Sequence, residues 1–383
     1  MMLCAYRVGS GMSESELPFW IGFNKVRGIG PVRLRALRTY FGELSVAWRA
    51  APEALRAAGL DRRSLENLLN ARQKLDLGME VARLERAGVR VITIDAPDYP
   101  HRLSRIPDAP PVLYVKGDLS AQDDLALAVV GTRRATPYGR QATREIVSEL
   151  ARHGVTIISG LARGIDSEAH QAALEAGGRT IAVLGCGLDI IYPPEHVHLA
   201  ERICHQGALV SEYALGTPPE AANFPPRNRI ISGLAWGVLV TEAGLGSGAL
   251  ITADYAREQG RELFAVPGSI FQRSSDGTNR LLQEGAKAVL NATDILDELR
   301  IAEATATEEE EAQQATELIT SDPIEARLLE QLSAEPRHVD EVSRAVGLPI
   351  AAVSSALSIM ELKGLVREVG GMNYVAAHAR RVA

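Results

Sequence analysis

Between about residues 125 and 290 the chain repeats one unit: a short apolar run, a glycine-bearing turn and a helical stretch. The runs fall at 125–130, 155–158, 179–184, 208–210, 237–241, 262–266 and 287–290. They are continuously apolar rather than alternating, which is the pattern of strands buried on both faces. Helical stretches of ten or more residues separate most of them. This order predicts an α/β fold, an extended Rossmann-like parallel sheet with helices packed against it. Such sheets bind ligands outside the carboxyl ends of their strands. The turns that follow the strands are therefore where function is to be sought.

The flanks have a different character. At 383 residues the chain is long for one core, so two or three domains are expected. Residues 1–12 read as a disordered N-terminus, with Met12 as an alternative start. Residues 13–82 read as an all-α helix-hairpin-helix or sterile-alpha-motif-like domain. In it, Val26, Gly28, Ile29, Gly30 and Pro31 form a turn ahead of Arg33, Arg35 and Arg38. That turn suits either a phosphate or a plain helix–helix corner needing glycine. Residues 83–300 carry the Rossmann-like domain. Residues 301–322 are acidic and lack aromatics, and read as a flexible linker. Residues 323–383 read as a winged-helix domain, with helices at 324–333, 338–346 and 350–363 and a hairpin through Gly370-Gly371. Its third helix is poor in charge, which suits docking or dimerisation at least as well as reading DNA.

A net charge of −7 taken as a total disfavours nucleic acid. Its location removes the objection. Residues 301–322 hold seven acidic residues and no Lys or Arg, so the remainder of the chain is neutral. A neutral body can still carry a basic stripe, and the local field matters more than the total. Cys4, Cys186 and Cys204 form no metal-like spacing and cannot all pair, which points to a reducing cytoplasm. There is no membrane-length apolar run and no signal-peptide pattern.

Four strand-end turns carry the candidate chemistry. Gly131, Thr132, Arg133 and Arg134 follow the run at 125–130, with Thr136 placed to cap the next helix and Pro137 at its first position. Ser159, Gly160 and Arg163 follow 155–158, and Asp166 is placed to cap the helix beyond. Asp166 and His170 read as a cap and a packing histidine rather than an acid/base pair. Cys186, at the next strand end, reads as a small buried residue. Gly246, Ser247 and Gly248 follow 237–241 and open a helix, an arrangement that suits an anion. The sharpest segment is Phe224-Pro-Pro-Arg227-Asn228-Arg229, read as a rigid Pro-Pro turn presenting two guanidinium groups and an aromatic. Arginine supplies bidentate phosphate contacts, and Phe224 could stack on a base. Gly216, after 208–210, is counted with this set.

Together these residues resemble the DNA-processing protein A family, also called Smf. The resemblance runs from roughly Leu113 to Leu296. It includes Gly131-Thr132-Arg133, Tyr138-Gly139-Arg140, Ser159–His170, Ala182–Gly187, Ser211-Glu212, Phe224–Arg229, Ser247–Ala253, Gly260-Arg261 and Val266-Pro267-Gly268. It implies binding of single-stranded DNA, protection of incoming strands in natural transformation, recruitment of the RecA recombinase to strands coated by single-strand binding protein, and self-association as a homodimer. It also implies that Arg133 is the strand-binding arginine of its turn and that Arg227 and Arg229 form a basic pair. Pro226 stands where a basic or polar residue is frequent in the family, which implies weaker affinity there. No catalysis, cofactor or metal is expected.

A competing reading is a nucleotide hydrolase of the nucleoside-monophosphate phosphoribohydrolase type, whose catalytic glutamate follows a Pro-Gly-Gly-x-Gly-Thr turn. Here Glu242 precedes the glycines. An NAD(P) oxidoreductase is disfavoured by the missing G-x-G-x-x-G spacing.

Overall fold

Nine strands form a single sheet in the computed structural model, which describes residues 16–299, 323–329, 331, 332, 336–362 and 366–376. The strands are β1 (Arg90–Thr93), β2 (Val112–Gly117), β3 (Ala126–Val130), β4 (Thr156–Ser159), β5 (Thr180–Val183), β6 (Gly207–Ser211), β7 (Gly237–Val240), β8 (Glu262–Ala265) and β9 (Lys287–Ala288). All seven apolar runs of the sequence are strands. Their order is β1-β2-β6-β5-β4-β3-β7-β8-β9. From β6 to β9 every pairing is parallel. The sheet is thus mostly parallel, as the sequence predicts, with antiparallel pairing confined to one edge. β1 and β2 pair antiparallel, and β2 joins β6 antiparallel. Only a proline-rich connection lies between β1 and β2, with no crossover helix long enough to bring the second strand back parallel.

This order creates a topological switch point. From β3 the chain winds outward through β4, β5 and β6, then returns to the other side of β3 with β7 and continues to β8 and β9. The connections at the carboxyl ends of β3 and β7 therefore diverge and leave a crevice between them.

Among the described residues six helices precede the sheet: Leu17–Asn24, Pro31–Phe41, Leu44–Arg49, Pro52–Ala57, Arg62–Lys74 and Leu77–Arg86. Asp61 and Asp76 cap two of them by accepting from the amides of Ser64 and Met79. Their apolar faces do not close on themselves. One continuous core runs from Trp20, Phe23 and Leu37 into Tyr114, Leu184, Leu209 and Leu215 of the sheet unit. Gly28 takes φ +94°, and its carbonyl accepts from Ser64 Oγ and from Arg33. Arg33 also pairs with Asp61, Arg38 with Asp95, and Arg35 donates to the Pro107 carbonyl. These three cations are held by internal partners at a structural corner.

The described residues divide into two compact units between Asp297 and Glu298. In the second, the helices Pro323–Leu329, Val339–Val346 and Ile350–Leu362 pack with a small sheet of Arg337–His338, Val366–Glu368 and Asn373–Ala376. Leu328, Val342, Val353, Leu357, Met360 and Tyr374 form its core. Three helices and a hairpin wing agree with the sequence reading. The N-terminus and linker expected at residues 1–12 and 301–322 lie outside the described residues. No single described helix is long and apolar enough to cross a membrane.

Candidate nucleic-acid interface

The crevice at the switch point is an open cleft of about 670 Å³. One wall is the turn Gly131–Arg134 after β3, and the facing wall is the loop Gly244–Gly248 after β7. The remaining lining includes Asp166, Tyr192, Phe224, Arg227 and Asn228. Five regions separated in sequence thus converge where the fold predicts a ligand.

The arginine turn is held from behind. Thr132 donates its amide to the Glu242 carbonyl at 2.7 Å, and its hydroxyl accepts from the Arg134 amide at 3.2 Å. Gly164 packs against it. A Cβ there would lie 2.3 Å from the Thr132 carbonyl oxygen and 2.8 Å from the Arg133 carbonyl carbon. Its φ of +81° is also unfavourable for any other residue. Gly164→Ala is therefore expected to displace the turn. The measurable result is weaker binding at the cleft with a lowered melting temperature, and unchanged values of both would contradict this role.

Arg133 and Arg134 are exposed and take no ion-pair partner among the described residues. The facing loop contributes a helix start. Ser247 caps Gly248–Glu258 by accepting from the Ala249 amide at 3.3 Å. A Cβ at Gly246 or Gly248 would meet nothing within 4 Å, so their backbone is open to an approaching group. Asn228 is tied to this wall by donating to the Gly248 carbonyl at 3.3 Å. Positive side chains on one wall and the positive end of a helix on the other favour an anion between them.

The segment Phe224–Arg229 is not a turn. It is the first part of the helix Phe224–Leu234, started by prolines in its first turn. Helical geometry separates Arg227 from Arg229 by about 200° around the axis, so they serve different places. Arg227 is 4% exposed. It donates to the carbonyls of Gly160 (2.8 Å) and Val183, and to Asn228 Oδ1 at 3.2 Å. Burial pulls its pKa down to about 10, and Asp166 partly restores it. It remains charged at neutral pH and forms the floor of the cleft. Arg229 is 5% exposed and does not line the cleft. It makes a two-pronged pair with Glu212 at 2.6 and 2.8 Å and reaches Asp108 at 2.8 Å. Burial works against its charge, but the Glu212 hydrogen bond and charge more than offset that and hold its pKa above the usual arginine range. Its role is architectural.

Other candidates also separate. Ser159 is buried, with its hydroxyl donating to the Val129 carbonyl at 2.6 Å. Gly216 lies beside Arg83 and donates to Asp189. Neither lines the cleft, because both belong to packing beneath or beyond it. Gly160 and Arg163 border a smaller recess adjoining the cleft, with Arg133, Tyr192, Phe224 and Arg227. Arg163 pairs there with Glu195 at 2.5 Å. Gly160 must be small, since a Cβ would come within 2.8 Å of both Arg227 and Asp166.

Tyr192 is the residue the sequence candidates lacked. Its ring centroid lies 5.6 Å from that of Phe224, and the Arg133 and Arg227 guanidinium groups each lie 5.8 Å from the Phe224 centroid. The signal was available: an aromatic beside Pro193-Pro194 in a strand-end loop. Phe224 is half-buried, so one side of this aromatic pair faces the cleft.

Each titratable group behind the cleft makes at least one internal hydrogen bond. Asp166 does not cap its helix from outside but sits in the first turn, after Gly164. It accepts from the amides of Gly160 and Ala162 at 3.1 and 3.4 Å. Burial raises its pKa, and Arg227 with these amides pulls it back. His170 is fully buried against the Thr180 hydroxyl at 2.7 Å, and burial pulls its pKa to about 3, so it is neutral in ordinary buffers. Glu242 is buried and accepts from the Thr136 amide at 2.9 Å. Cys186 is buried, with its pKa raised to about 11, and donates to the Ile190 carbonyl. No group of three metal-ligating side chains occurs among the described residues.

Sequence and structural comparison identify the scaffold. A sequence profile described as DNA recombination-mediator protein A matches residues 90–300, and one described as the DprA winged helix domain matches 305–372. Protein Smf of Synechocystis is 36% identical, covering 95% of this chain and 99% of its own length. Protein Smf of Escherichia coli is 41% identical over 85% of this chain and 88% of its own. The X-ray structure of DNA processing protein A from Streptococcus pneumoniae superposes with a TM-score of 0.65 at 36% identity, over 73% of this chain and 97% of that one. DNA processing protein A from Helicobacter pylori, whose structure is described in terms of its single-stranded DNA binding mode, superposes with a TM-score of 0.51 at 33% identity, over 56% of this chain and 96% of that one. A profile spanning more than half the chain and a relative matched along nearly its whole length place this protein in the DNA recombination-mediator protein A (DprA/Smf) family.

Proposed function

We propose that the cleft binds single-stranded DNA and that the protein acts as a recombination mediator, protecting incoming strands and helping load RecA during natural transformation. The observation that carries this reading is the pair of exposed arginines, Arg133 and Arg134, without ion-pair partners among the described residues, facing an open helix start across a cleft with aromatic groups at its side. Phosphates suit the first two features, and splayed bases suit the third. Work on a solved relative that concerns single-stranded DNA supports the ligand class. Action as a homodimer, in the cytoplasm and alongside single-strand binding protein, is part of the same reading.

The protein is proposed not to be an enzyme. Glu242, the carboxylate that a nucleotide hydrolase would need, holds the start of the helix after the arginine turn, and a Cβ on Gly139 would meet its Oε2 at 2.2 Å. His170 cannot exchange protons near neutrality. Incubation with nucleoside monophosphates is expected to release no base or phosphate. Turnover abolished by Glu242→Gln would overturn this.

The direct test is titration with a labelled oligothymidylate and with a duplex of the same length, at two salt concentrations. Preference for the single strand, weakening as salt rises, is expected. Equal affinity for both would refute strand selectivity. For mediator function, the measurement is RecA assembly on strands coated by single-strand binding protein, with acceleration expected on adding this protein.

A further inference from the structure

Ile270 and Phe271 are neighbours on the loop after β8, 79% and 90% exposed. Their loop is not loose. Gly268 and Asn279 exchange two hydrogen bonds, at 3.1 and 3.0 Å. The Gln272 amide closes a turn onto the Ser269 carbonyl, and Tyr138 donates its hydroxyl to the Pro267 carbonyl at 2.8 Å. The loop is also seated against the cleft wall. The Gly277 amide donates to the Ala243 carbonyl at 2.7 Å, and a Cβ on Gly244 would lie 3.0 Å from the Arg273 carbonyl oxygen. On that wall Leu245 is itself 58% exposed. A backbone fixed at this many points holds two large apolar side chains in water, on a loop that touches the cleft wall at Gly244.

We propose that Phe271 is a stacking platform for a nucleobase of the strand as it leaves the cleft, with Ile270 beside it, so that the binding track extends beyond the cleft. This rests on the reading of the cleft as a single-strand site. A nucleic-acid occupant is favoured by charge and continuity. Arg273, two residues on, is exposed and takes no ion-pair partner among the described residues, which suits the phosphate of the same nucleotide. A flat ring displayed at the edge of a basic groove takes any base, since every base has a π-face.

The full-length protein is titrated with oligothymidylates of about 4 and about 16 nucleotides, spanning the usual range of single-strand site sizes. Phe271→Ala is expected to weaken the long strand about tenfold while leaving its salt slope and the short strand's affinity unchanged. Phe271→Trp should retain the long-strand affinity, with its emission quenched on binding. Arg133→Ala should weaken both lengths. If Phe271→Ala binds both lengths like the parent while Arg133→Ala weakens both, the platform is wrong and the cleft reading stands. If Arg133→Ala also binds normally, the cleft reading falls and the platform with it. A Phe271→Ala variant that sediments as a smaller species with unchanged DNA affinity would assign the pair to a second copy of the chain and overturn the proposal.

Discussion

Arg229→Ala is expected to be the most destabilising single change at this end of the molecule. It removes the cation from a largely buried pair with Glu212, whose side chain is 17% exposed, and leaves that carboxylate without its partner. Breaking a buried pair from one side typically costs about 3–5 kcal/mol. In a unit of this size that corresponds to a drop in melting temperature of about 10 °C. Replacing both partners, as Arg229→Met with Glu212→Leu, should recover much of the loss, because an apolar pair avoids the desolvation penalty. The folded fraction of Arg229→Ala should bind single strands with the parent's salt slope. A flattened slope without loss of stability would return Arg229 to the DNA edge.

Arg133 and Arg134 should give the opposite phenotype. Both lie exposed on the turn after β3, so the Arg133→Ala/Arg134→Ala double variant should fold and melt like the parent. Its affinity for single strands should fall at least tenfold, since hydrogen bonds to charged groups contribute about 1.5–3 kcal/mol each. The log–log salt slope should flatten by about 0.7 for each lost phosphate contact, or about 1.4 for the pair. The fall should be similar for every base composition, because phosphate contacts position the strand without reading it. Unchanged affinity and slope in the double variant would show that the turn is not the phosphate wall.

The contrast between these arginines explains what the sequence could and could not disclose. The seven central strands were legible because a continuous apolar run between helices has few other uses. β1 and β2 were not picked out, since Val91-Ile92 and Val112–Val115 are short and are joined by prolines rather than a crossover helix. The turns at 131–134 and 246–248 were legible because their glycines and their place after a strand are local facts. Arg229 was not legible as a structural residue, because its partners lie far away in the chain. Glu212 and Asp108 give no local sign that they face Arg229. The prolines before Arg227 were read as a rigid turn, whereas proline at a helix start is equally well suited to its fixed φ. Tyr192 was missed for a related reason: its meeting with Phe224 is a product of topology.

The way Arg227 is held bears on how fast the protein can capture a strand. Its guanidinium clasps carbonyls at the ends of two adjacent strands, Gly160 and Val183, before any ligand arrives. The charge on the cleft floor is thus already aimed, and no loop must reorganise to bring it there. Encounter should then be limited by diffusion and steering rather than by an opening step, with the arrival rate falling as salt rises. In stopped-flow traces the observed rate should climb linearly with DNA concentration and show no plateau, as a lock cut in advance admits its key at the rate keys arrive.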